Sequence, residues 1–221
     1  QAIGLAAILV PCLALAHGVA GGDAAYVASS RGVNVFPFMY LGAKHMVTGY
    51  DHLLFLAGVI FFLYRLKDVA LYVTLFAVGH STTLLAGVLG GIHANAYIVD
   101  AIIGLSVAYK AFENLGGFRR LGWQIDSRVA VLVFGFAHGF GLATKLQELP
   151  LSPEGLAANL VSFNVGVELG QLAALSVILL AFNFWRRSRS FLSGAWTANV
   201  LIMAAGFVLI GYQLAGYWRG A

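Results

Sequence analysis

His45, Asp51 and His52 lie in a stretch of chain that otherwise reads as membrane-spanning. Imidazole and carboxylate together suit a divalent transition metal: nickel, cobalt, zinc or iron(II). Ionisable groups at bilayer depth cost roughly 2.5–3.5 kcal/mol each even on the lenient insertion scale. A chain that keeps several of them, and repeats the habit with His80, His138 and Glu168 on later apolar segments, is expected to use them. We therefore take His45, Asp51, His52, His80, His138 and Glu168 as candidate metal ligands. The competing reading is a hydrogen-bonded polar core that only joins helices.

The elements that position these residues follow from composition. Hydrophobic residues make up 60% of the 221, and charged residues only 10%. Soluble domains carry about 25% charged residues, so the chain is expected to be an integral membrane protein in contact with lipid. No basic stripe interleaved with aromatics suggests nucleic acid. The single cysteine, Cys12, allows neither an intramolecular disulfide nor a cysteine metal cluster.

Residues 1–16 are apolar and end Ala14-Leu15-Ala16, an A-x-A pattern that reads as a signal peptide. Residues 17–35 form a polar extracytoplasmic lead-in, and 36–221 a single transmembrane domain. The expected fold is all-α: a polytopic bundle of six transmembrane helices, or seven if the leader stays attached. The segments are placed at 36–64, 69–89, 96–115, 129–146, 156–184 and 195–218, each near the ~20 residues that span a bilayer. Lys and Arg collect in alternate loops, at Arg65 and Lys67, at Arg119, Arg120 and Arg128, and at Arg186, Arg187 and Arg189. By the positive-inside rule those loops are cytoplasmic. Both termini then lie outside, in what is expected to be a bacterial inner membrane.

This topology sets His52, His80, His138 and Glu168 at similar depth on four segments, so convergence inside the bundle is expected. In a continuous helix His45 and His52, seven apart, share a face, and Asp51 lies about 100° from His52. Asn164, Glu168 and Gln171 follow i, i+4, i+7 spacing and form one polar stripe. Ser106, Lys110 and Glu113 form another, with Lys110 and Glu113 spaced to pair. Ser81 adjoins His80. These six, Ser81, Ser106, Lys110, Glu113, Asn164 and Gln171, are expected to support the ligands or line a pathway. His93 falls in a loop and is expected to be solvated.

At these residues the chain resembles the HupE/UreJ family of membrane proteins. The resemblance rests on His45 through Asp51-His52, Gly79-His80-Ser81-Thr82-Thr83-Leu84, and the helix from Leu105-Ser106 to Glu113-Asn114. It extends to Phe136-Ala137-His138-Gly139-Phe140-Gly141 and Phe163-Asn164-Val165-Gly166-Val167-Glu168-Leu169-Gly170-Gln171. Leu142 stands where the family usually has phenylalanine, and Asp100 where glutamate is expected. The resemblance implies nickel or cobalt uptake; in a permease of this kind the ion is expected to pass His45, dwell at the central ligands and leave past Glu113. The alternatives are a metal-dependent intramembrane hydrolase, or an accessory subunit of a larger membrane complex. A homo-oligomer is compatible with each. No nucleotide-binding motif is present, so an energy source would be a gradient or trapping of the ion.

Overall fold

The computed structural model describes residues 21–220. The expected leader and residues 17–20 lie outside them. Nine helices follow among the described residues: α1 Gly21–Ser29, α2 Val35–Thr48, α3 Tyr50–Ile60, α4 Leu66–Gly90, α5 Ala96–Asn114, α6 Gly117–Arg120, α7 Ser127–Gln147, α8 Leu156–Trp185 and α9 Phe191–Arg219. There is no strand among these residues.

Helices α4, α7, α8 and α9 are each long and apolar enough to cross a membrane. The chain is therefore an integral membrane protein. Helix α5 is 19 residues long but carries Asp100, Lys110 and Glu113. Asp100 and Lys110 are buried in the bundle, which is where ionisable groups of membrane helices belong.

The lead-in contains a helix that its polarity did not announce. Val27 of α1 is buried, and Asp23 pairs with Lys44 of α2 at 2.7 Å. The segment at 36–64 also differs from expectation, because it breaks at Gly49 into helices of 14 and 11 residues. Gly49 has φ −74° and ψ 93°, extended rather than helical. A Cβ there would stand 3.0 Å from His52 Nδ1 and 3.1 Å from the His45 carbonyl, so the crowded break favours glycine.

Packing sorts the long helices into three pairs: α4 with α7, α5 with α9, and α2 with α8. Short α3 sits among them and touches α5, α8, α4 and α9. Glycines set the pair distances. A Cβ on Gly79 would come within 2.6 Å of the Leu132 carbonyl oxygen, and one on Gly135 within 2.7 Å of that of Phe76. Backbone contact of this kind is how membrane helices associate without a hydrophobic drive between them.

Side chains tie the helix ends together. Asn114 Nδ2 donates to the Gly58 carbonyl at 2.8 Å, and Arg186 Nη2 donates to the Ile60 and Phe61 carbonyls, each at 2.8 Å. These bonds add to the backbone ones that the end of α3 makes, Phe61 N–H to the Gly58 carbonyl at 3.4 Å and Leu63 N–H to that of Ile60 at 3.0 Å, where helix-end carbonyls are short of partners. They also bring the loops with Arg65, Arg119, Arg128 and Arg186 to one end of the bundle, the basic end. At the opposite end Gln147 Nε2 donates to the Gly87 carbonyl at 2.6 Å, and Asn159 Nδ2 to that of Gly32 at 2.9 Å.

Candidate metal centre

The break at Gly49 places Asp51 in the first turn of α3. A carboxylate there offsets the positive end of the helix dipole. His52 follows, and its Nδ1 is 3.2 Å from Asp51 Oδ2. Asp51 and His52 are only 1% and 2% exposed, in a site with no bulk water to solvate them.

Helices α4 and α7 bring the other imidazoles. The glycines beside His80 and His138 press the two backbones together. A Cβ on Gly139 would overlap the His80 carbonyl. His80 and His138 are thereby held side by side, 1% and 0% exposed. The His52 ring lies 5.6 Å from that of His80 and 4.7 Å from that of His138, centre to centre. One potential ligand atom from each of Asp51, His52 and His138 falls within 4.8 Å of the others. Two ligands at about 2.0–2.2 Å from one ion are at most about 4.4 Å apart, so atoms at the 4.8 Å limit would draw together slightly around an ion. Imidazole with carboxylate is a donor set that suits a divalent transition metal.

His45 closes the group from α2, its ring 5.2 Å from that of His52. It reaches the site across the broken backbone rather than along one continuous helix face, which corrects the seven-residue argument. It is half-buried, unlike the other three.

Buried polar atoms normally find partners. Here both ring nitrogens of His80 and Nε2 of His52 have no hydrogen-bond partner among the described residues. Asn164 Oδ1 from α8 is in the same condition. His80 lies outside the group of three whose ligand atoms come within 4.8 Å of one another.

Glu168 does not join them. It lies on the exposed face of α8 with Val165, Leu169 and Leu172. The polar stripe on that helix is wide enough to straddle the boundary. Gln171 is about 60° around the helix from Glu168, is 1% exposed, and donates to the Val73 carbonyl at 3.4 Å. The fifth predicted segment thus contributes Asn164 and Gln171 to the interior.

Ser106 of α5 touches the site directly. Its Oγ is 2.9 Å from His138 Nε2. Ser81, next to His80, is half-buried. Lys110 and Glu113 pair as their spacing implied, Nζ to Oε2 at 2.6 Å, and Ser127 donates to the other Glu113 oxygen. That pair lies one to two turns from Ser106 towards the basic end. His93 is exposed, and its Nδ1 is 2.7 Å from the Gly91 carbonyl.

Two features escaped the sequence reading. One is a layer of phenylalanines on the basic-end side of the histidines. Phe55, Phe76 and Phe134 stand three or four residues from His52, His80 and His138 on the same helices. Phe55 lies 5.5 Å from Phe76 and 5.9 Å from Phe134, and 5.2 Å from the His138 ring. The recurring offset was visible but looked like ordinary apolar sequence. The other is a polar group towards the opposite end. Asp100 Oδ2 accepts from Gln213 Nε2 at 3.3 Å and lies 3.9 Å from Lys145 Nζ. Gln213 sits on the last helix, where no sequence spacing linked it to Asp100.

A family model described as HupE / UreJ protein matches residues 22–220. The chain belongs to the HupE/UreJ family of membrane proteins. Comparison with curated proteins and with solved structures finds no match.

Proposed function

We propose that this chain is a membrane permease for a divalent transition metal ion, nickel or cobalt before zinc. The observation that carries the reading is the convergence of Asp51, His52 and His138, with the His80 ring 5.6 Å from that of His52, in a water-poor site where nitrogens of His52 and His80 have no hydrogen-bond partner among the described residues. A polar core serving only to join helices would satisfy those atoms within itself.

The broken α2–α3 segment supports transport in particular. Discontinuous helices that meet at a mid-membrane ion site recur in secondary transporters. With six spans, α2 and α3 count as one crossing and α5 as another, each shielding its charges inside the bundle. The basic end is then cytoplasmic, and both termini lie outside in the inner membrane. His45, half-buried and furthest from the phenylalanine layer, meets the incoming ion. Asp51, His52, His80 and His138 hold it, with Asn164 alongside. The three phenylalanines bar direct passage to Lys110 and Glu113, so release needs them to move.

Uptake of radioactive nickel and cobalt into proteoliposomes tests this. Uptake by the wild type, reduced to background by His52→Ala, is the expected result. Tight, non-exchanging metal with no uptake would sink the permease and favour an intramembrane metalloenzyme.

A further inference from the structure

Ser106 Oγ makes two contacts that together fix where hydrogens sit. It is 2.6 Å from the Ile103 carbonyl oxygen and 2.9 Å from His138 Nε2. The hydroxyl has one hydrogen. The first separation is that of an O–H···O bond, and the second is typical of N–H···O. The hydrogen of Ser106 therefore goes to the Ile103 carbonyl, a common back-bond for serine within a helix. Oγ is left to accept from the ring, so His138 carries its proton on Nε2. The opposite assignment would require the one hydroxyl hydrogen to serve both Ile103 and the imidazole.

We infer that Ser106 is a positioning residue, which holds His138 as the Nε2–H tautomer and thereby assigns Nδ1 as the atom that would donate to a cation. The surroundings reinforce the hold. Ser106 and His138 are both 0% exposed, so water does not compete for either group. Phe55 and Phe76 lie 5.2 Å from the His138 ring, centre to centre, and restrict its rotation. In metal sites the hydrogen bond made by one imidazole nitrogen orients the other towards the ion, and its loss typically costs 10–100-fold in affinity. The tautomer assignment stands on geometry alone. Its consequence for metal binding rests on the proposed function.

The test uses the full chain in detergent micelles, labelled with 15N-histidine, without metal and at about pH 8, where unperturbed imidazoles are neutral. His138 signals are identified by their loss in His138→Asn. The expected result is protonated Nε2 and unprotonated Nδ1 in the wild type. Ser106→Ala should give mixed tautomers, and Ser106→Thr, which keeps the hydroxyl, should restore the single form. A wild-type His138 protonated on Nδ1, or a tautomer unchanged in Ser106→Ala, would overturn the inference. The wild-type measurement decides even where a variant folds poorly. Nickel titration of the same samples should show 10–100-fold weaker binding in Ser106→Ala and recovery in Ser106→Thr. If the tautomers behave as expected but the wild type binds neither nickel nor cobalt, the assignment holds and the permease reading fails.

Discussion

Two buried polar groups sit a few turns apart in this bundle and are finished differently. Near the basic end, Lys110 and Ser127 both bond to Glu113, while Asn114 bonds to Asn199 and to the end of α3. Asn199 Nδ2 in turn donates to the Ala195 carbonyl at 2.9 Å. At mid-bundle, His52 and His80 keep nitrogens without hydrogen-bond partners among the described residues. The first group behaves as glue, since its members answer each other's charges and bonds. The second group keeps unmet hydrogen-bonding capacity on His52 and His80 among the described residues, which is what the proposed ion site requires. Burial and polarity alone would have ranked the two groups equally. The state of the hydrogen bonds separates them.

Substitutions that affect one group and spare the other test this contrast. The largest effect is expected for His52→Ala. Metal bound by the purified protein should fall to background, with the folded fraction preserved, as read by elemental analysis beside size-exclusion chromatography. Equal metal in variant and wild type would erase the distinction. Glu113→Gln should do the reverse. Removing one partner of a fully buried pair costs about 3–5 kcal/mol. The Glu113 side chain is 21% exposed, which moderates the loss; about 2 kcal/mol is expected. Thermal unfolding should drop while metal content stays the same.

Gly49→Ala comes next. A methyl group 3.0 Å from His52 Nδ1 must push the ring or the backbone aside. Metal affinity should weaken about tenfold, equivalent to 1.4 kcal/mol, by titration with nickel or cobalt. Wild-type affinity would show that the break tolerates a side chain. The smallest effect is expected for Glu168→Gln. Its carboxylate faces away from the histidines, so affinity should stay within about twofold. A tenfold loss would return Glu168 to the ligand set.

The sequence displayed the long helices well, because about 20 apolar residues in a row leave few other structures available. The predicted segments at 69–89 and 129–146 fall within Leu66–Gly90 and Ser127–Gln147. It displayed the histidines too, since each breaks an apolar run. What it concealed came from three dimensions. Hydropathy does not register a one-residue break, so Gly49 was absorbed into a single span. Helical periodicity fixes angles within a helix but not which neighbour faces each angle, so Glu168 was grouped with Asn164 and Gln171. The phenylalanine layer and the Asp100–Gln213 contact join residues far apart in sequence, and only the packing of their helices makes them neighbours.

The interruption at Gly49 has a mechanical consequence. His45 is mounted on α2, which is fastened along α8, where a Cβ on Gly170 would come within 2.6 Å of the Ala43 carbonyl oxygen. Asp51 and His52 are mounted on α3, whose far end is clasped by Asn114 of α5 and by Arg186 at the end of α8. One cluster is thus assembled from two separate helices, with a single extended residue as the joint. Any sliding of α2 against α3 changes the His45–His52 separation directly, without unwinding a turn of helix.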